Sequence, residues 1–112
     1  MSTPRLNRRL VLETPAAVPD GAGGYVQGWA VLGTLWAAMA AGAGRAAGGE
    51  EVIRPEVGWR ITVRAAPVGA PSRPVAGQRL RAGDRVFAIL AVAESDADAR
   101  HLTCFAREEE SA

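Results

Sequence analysis

Few side chains in this sequence have types and spacings suited to chemistry. The chain has one cysteine, Cys104, and one histidine, His101. A zinc site takes three or four such ligands, and a catalytic nucleophile needs a base held beside it, so this pair meets neither requirement. A single cysteine cannot form an internal disulfide. We therefore predict a buried structural thiol at Cys104, a strand position for His101, no metal or cofactor, and no enzymatic activity.

Two further groups of residues resemble ligand-binding motifs but lack essential members. Asp96 and Asp98 are not followed by the ligand series and closing Glu of a calcium loop, and turn formation explains both. The glycines between positions 42 and 49 lack the helix and the Lys-Ser/Thr pair of a phosphate-binding loop. We predict instead a flexible loop over about 40–56, whose candidate interface or channel residues are Gly42, Gly44, Arg45, Gly48, Gly49, Glu50 and Glu51.

The three tryptophans are large enough to form much of a small core. We assign Trp36 to the core and leave Trp29 and Trp59 open between core and interface, because tryptophan is enriched in both places. Stacking on single-stranded nucleic acid needs aromatic and basic side chains on one face. Trp59 and Arg60 are adjacent in a strand pattern and point to opposite faces, which weakens that reading.

Length and composition indicate one small domain. The chain has 112 residues and a net charge of +1, with all 13 basic residues being arginine. This balance gives no general attraction to nucleic acid or to an anionic membrane. No stretch approaches the ~20 apolar residues of a membrane span, and the first residues do not form a secretory signal. We expect synthesis in a bacterial cytoplasm.

Alternating apolar residues predict strands, and Gly/Pro-rich stretches predict the connections between them. The predicted strands cover 8–13, 25–36, 58–66, 78–92 with a turn at 82–84, and 100–107. The predicted loops are 14–24, about 40–56 and 67–77, and 108–112 is predicted to be a solvated acidic tail. Five to six short antiparallel strands with long Gly/Pro-rich loops predict an all-β fold, a small β-barrel that forms a single domain over 1–112. The predicted core consists of Leu10, Leu12, Trp36, Ile61, Val63, Phe87, Ile89, Leu102 and Cys104.

The order of several short motifs resembles a known protein family. RRLVLETP begins at Arg8, followed by a D-G-x-G-G turn at 20–24, Y-V-x-G-W at 25–29 and L-W-A at 35–37. W-R-I-T-V-R follows at 59–64, then G-D-R-V-F-A-I at 83–89 and L-T-C at 102–104. In this order the motifs resemble the head-tail joining (head-closure, or stopper) proteins of tailed phages, including relatives in gene transfer agents. The Gly/Ala-rich segment after the L-W-A strand departs from that family, in which the segment is usually longer and more polar.

The resemblance implies a structural protein in the neck of a phage or phage-like particle. It implies a homo-oligomeric ring, sixfold or twelvefold, with the portal or adaptor on the head side and the tail terminator or other tail proteins on the other. Such a ring would close the head after DNA packaging and join head to tail. Arginines that face the channel, with Arg45 the first candidate, would touch packaged DNA without reading its sequence.

Two other functions remain open from the sequence. A portal-bound adaptor of the same neck would be mainly helical. A separate OB- or SH3-like module would bind nucleic acid or peptide as an isolated monomer, with an affinity for nucleic acid that falls with salt.

Overall fold

The computed structural model describes residues 4–42 and 58–109. Six antiparallel strands close into one barrel-like ring in the spatial order β1-β2-β3-β6-β5-β4. This confirms the predicted fold class. The strands are β1 (Arg8–Pro19), β2 (Tyr25–Ala41), β3 (Gly58–Arg64), β4 (Arg79–Ala82), β5 (Arg85–Glu94) and β6 (His101–Glu109). The described residues contain no helix that is long and apolar enough to cross a bilayer.

The barrel interior is filled by alternate residues of the strands, as the period-two patterns require. In β3, Ile61 and Val63 are fully buried while Arg60 and Arg64 point to solvent. Most of the residues predicted for the core are buried, namely Leu10, Leu12, Ile61, Val63, Phe87, Ile89, Leu102 and Cys104. The interior also contains Ala37, Leu80 and Ala106, which the prediction did not include.

Trp36 is the one predicted core residue that the structure places outside, with 56% of its surface exposed. The reason is a bulge in β2. Leu12 pairs with Gly33 but Glu13 pairs with Val31, which leaves Leu32 as an extra residue. One extra residue reverses the alternation. Leu32 and Leu35 both pack against the core, and Trp36 turns outward.

A second bulge has the same effect in β5. Ile89 pairs with Ala106 and Ala91 pairs with Phe105, so Leu90 is the extra residue. Beyond it the inward position passes from Ala91 to Val92, which packs against the core. Leu90 itself points outward and is exposed.

The first two strands are longer than the sequence pattern predicted. Segment 14–19 was predicted to be a loop, yet β1 continues through it to Pro19, and β2 continues past Trp36 to Ala41. Pro15 and Pro19 fit in β1 because this part pairs only with β2, and an edge strand tolerates residues that cannot donate to a second neighbour. β1 and β2 therefore form a long hairpin that projects beyond the other four strands.

The predicted loops and tail also differ from the structure in detail. Segment 67–77, predicted to be flexible, contains turns closed by hydrogen bonds from Ala70 to Pro67 and from Arg73 to Ala70, and it buries Pro74. Glu108 and Glu109 belong to β6 rather than to a solvated tail, because β6 continues its pairing with β5 as far as Glu109. Of the predicted loop at 40–56, residues 40 and 41 lie in β2.

Only one of the candidate loop residues is described. The Gly42 amide donates a 2.6 Å hydrogen bond to the Gly58 carbonyl, which holds the two ends of the connection together. Gly44, Arg45, Gly48, Gly49, Glu50 and Glu51 lie outside the described residues.

Candidate assembly surface

The projecting part of the β1–β2 hairpin, residues 14–19 and 25–31, is hereafter called the arm. Neither segment contains a charged side chain. Several of its apolar residues are strongly exposed, among them Tyr25, Val26 and Val31, the last at 61%. Because Tyr25 and Val26 are adjacent in the strand, they lie on opposite faces of the hairpin. The arm therefore presents apolar surface on both faces.

Among residues 4–42 and 58–109, neither edge of the arm has a neighbouring strand. β4 pairs with β1 only at Val11–Glu13, and β3 pairs with β2 only from Ala37 onward. A two-stranded hairpin is marginally stable alone in water, and unpaired strand edges invite association with other chains. An apolar, uncharged arm with two free edges is therefore suited to packing against another protein.

The tip of the arm is fixed by local hydrogen bonds. Asp20 Oδ1 accepts the backbone amides of Ala22 at 2.8 Å and Gly24 at 2.9 Å. These amides lower the pKa of the Asp20 carboxyl. Gly21 and Gly23 have φ of +82° and +89°, a region that side chains with a Cβ seldom adopt. The D-G-x-G-G sequence thus forms a defined turn between the two strands.

The base of the arm is held by a buried carboxylate between two arginines. Glu13 is 5% exposed, and its two oxygens accept hydrogen bonds from Arg79 Nε at 2.6 Å and Arg81 Nε at 3.0 Å. Burial acts to raise the pKa of Glu13, but the hydrogen bonds and charges of the two arginines lower it overall. The Arg79 guanidinium also lies 4.1 Å from the centre of the Trp29 ring. These contacts link β1, β2 and β4 where the arm leaves the barrel.

A second ionic cluster lies toward the end of the barrel that is opposite the arm. Arg85 donates to both oxygens of Glu108, at 2.8 and 3.0 Å, and this lowers the pKa of the carboxyl. Arg85 also lies over Trp59 and Phe87, whose rings meet edge to face at 5.8 Å. Trp59, left open by the sequence, therefore packs against the core, while Trp29 belongs to the base of the arm.

The residues first considered for chemistry are explained by structural contacts. Asp96 accepts the Arg100 amide at 2.8 Å and lies 3.3 Å from His101 Nδ1, so it caps the β5–β6 turn. Cys104 is buried in the barrel interior, and burial raises the pKa of its thiol to about 12, which keeps it protonated and unreactive. Within 4–42 and 58–109, no group of three or more His, Cys, Asp or Glu side chains is placed to hold a metal ion.

Comparison with known proteins identifies the family. Residues 1–109 match the family model described as phage head completion protein. The chain belongs to this family. The match confirms the resemblance given by the order of motifs in the sequence, and the family is one of structural proteins. No curated protein matches the chain.

Two solved structures are similar to this chain over almost its full length. One is a chain of the virion of a native gene transfer agent particle, with 53% identity, a TM-score of 0.78, and coverage of 98% of this chain and 100% of that one. The other is the solution structure of protein SF1141 from Shigella flexneri 2a, with 26% identity, a TM-score of 0.65 and 96% coverage of both chains.

The arm is the structural feature that sequence reasoning missed. The Gly/Pro content of 14–24 indicated a loop, which hid the extension of β1. A usable signal was present, because the glycine-rich Asp20–Gly24 turn has uncharged residues with apolar side chains on both sides. A tight turn between two such segments is typical of a hairpin.

Proposed function

We propose that this chain forms a ring of identical copies in the neck of a tailed phage or gene transfer agent particle. The ring closes the head after DNA packaging and joins the head to the tail. The portal or its adaptor contacts one side of the ring, and the tail terminator or other tail proteins contact the other. Membership of the phage head completion family and similarity to a gene transfer agent virion chain support this role.

The observation that carries the ring is the arm. Apolar side chains exposed on both faces of a two-stranded hairpin do not stabilise a soluble monomer, and such surfaces are typical of interaction sites. A ring subunit needs such a surface, because each copy must bind its neighbour through a contact that repeats and closes. The sixfold or twelvefold symmetry remains a prediction.

The segment between Gly42 and Gly58 is proposed to contact neighbouring copies or to line the channel. Its ends are joined at the end of the barrel opposite the arm, so the segment starts and finishes there. Arg45 lies in this segment. Arg60 and Arg64 are exposed on β3 without an ion pair among the described residues. Arginines of this kind could touch packaged DNA through its phosphates.

A matched pair of substitutions tests the role of the arm. Val31→Glu places a charge on the apolar arm, and Val68→Glu places the same charge at an 86% exposed position of the β3–β4 loop. Burying the new carboxylate in a subunit contact makes the free energy of association less favourable by roughly several kcal/mol. Val31→Glu should therefore block assembly. Electron microscopy should show heads without tails for Val31→Glu and complete particles for Val68→Glu. Complete particles from Val31→Glu would refute the arm as a ring contact.

A further inference from the structure

The barrel carries a second apolar surface that no residue of the described chain covers. It is a shallow groove between β3, β5 and β6, hereafter called the groove, which is lined by Trp59, Arg60, Leu90 and Phe105, with Gly42 and Gly58 at one end. Leu90 and Phe105 are both exposed. The groove lies toward the end of the barrel opposite the base of the arm, because β3 begins and the β2 pairing ends there.

The backbone of β5 directs an apolar side chain into this groove. Leu90 is the extra residue of the β5 bulge, and its neighbour Ala91 pairs with Phe105. Leu90 follows the buried Ile89, so alternation alone places it on the outer face. The bulge turns Ala91 to the outer face as well, beside Phe105. Leu90 and Phe105 thus form an exposed apolar pair on the outside of the barrel.

The tip of the arm and the groove carry residues of opposite charge. The only charged residue between Thr14 and Ala41 is Asp20, at the tip of the arm. Both of its backbone hydrogen bonds go to Oδ1, and its lowered pKa keeps the carboxyl ionised. Of the described residues that line the groove, Arg60 is the one that carries a charge. Two apolar surfaces of one chain, with one negative and one positive residue, can therefore bind each other in different copies.

We propose that the arm of one copy lies in the groove of the next copy, so that subunits join head to tail. This inference deepens the proposed ring function and rests on it. A contact between two different patches of the same chain is heterologous, and it repeats around a ring when its rotation closes. Each copy then gives its arm to one neighbour and receives an arm from the other. The face of the arm that lies in the groove is then removed from water.

Cysteine cross-linking in assembled particles tests the pairing. The double variant Val31→Cys/Leu90→Cys carries one thiol on the arm and one in the groove, both at exposed positions. The native Cys104 is buried and should not react. A short flexible bismaleimide should link each copy to two neighbours and yield a ladder that extends beyond the dimer. Tyr25→Cys/Phe105→Cys offers a second pair if the first variant is poorly made.

The controls separate this inference from the ring function itself. Val31→Cys alone and Leu90→Cys alone should give no linked product, and Val68→Cys/Leu90→Cys should give none beyond the dimer. A dimer from Val31→Cys alone would mean that two arms pair with each other, and it would overturn the head-to-tail arrangement. Each double variant is assembled into particles separately. If both variants are incorporated but neither gives a ladder, the inference is overturned and the ring function still stands. Absence of the wild-type chain from complete particles would refute the ring function.

Discussion

At the scale of single residues, Glu13 is the most informative side chain. It directly follows the buried Leu12, so strict alternation along β1 would place it on the outer face of the barrel. The structure instead buries it between Arg79 and Arg81, which lie 66 and 68 positions away in the sequence. No local pattern could reveal these partners, because they depend on how β4 meets β1. The buried Leu10 and Leu12, by contrast, follow directly from period-two alternation.

Replacing Glu13 with glutamine should destabilise the fold. The substitution removes the charge that both arginines contact and leaves them with weaker acceptors, at a cost of roughly 1–3 kcal/mol. The exposed Glu94→Gln is a matched control that should change stability by less than about 0.5 kcal/mol. Urea denaturation at neutral pH measures both variants. Equal stability of Glu13→Gln and wild type would contradict the role given to this cluster.

The same variant has a defined pH dependence. The folded chain holds the pKa of Glu13 below its ordinary value of 4.5, so the contribution of the carboxylate is complete above that value. It is lost as the pH falls through the lowered folded-state pKa. The stability difference between wild type and Glu13→Gln should therefore be largest near neutral pH and shrink in acid. A difference that grows on acidification would have the wrong sign.

At the scale of elements, the two bulges explain where sequence reasoning succeeded and where it failed. Strands β3 and β6 keep regular alternation on their core faces, and the predicted inward residues Ile61, Val63, Leu102 and Cys104 are buried. Strands β2 and β5 each contain one extra residue relative to the strand they pair with. Beyond that residue, the side chains point to the face opposite to the one that regular alternation predicts. A bulge is set by pairing with another strand, so it leaves little trace in the sequence of its own strand.

The different positions of Trp36 and Trp59 can be compared by mutation. Trp36 points outward past the β2 bulge, whereas Trp59 packs edge to face on Phe87. Trp36→Ser should cost less than about 1 kcal/mol of stability, as is usual for exposed positions. Trp59→Ser should cost about 2–4 kcal/mol, because it opens space beside the core. Chemical denaturation with near-ultraviolet circular dichroism would test this order, and a larger loss for Trp36→Ser would show that the β2 register is wrong.

At the scale of the whole molecule, the barrel is a scaffold that carries an arm and a groove at different places on its surface. The strand order closes the barrel, and among the described residues the arm carries long strand edges that have no neighbouring strand. Period-two alternation predicted the barrel, and the order of several short motifs indicated the family by resemblance. The arm and the groove were not predicted, because both depend on how far each strand pairs with its neighbours.

Electron cryomicroscopy of the neck of purified particles, at a resolution that traces the chain, is the decisive test of the ring. We expect several identical copies of this chain in a closed ring between portal and tail, each with its 14–31 hairpin seated on the adjacent barrel beside Leu90 and Phe105. A fully assembled neck built from other proteins, with this chain missing from the map and from the particle's peptides, would contradict it.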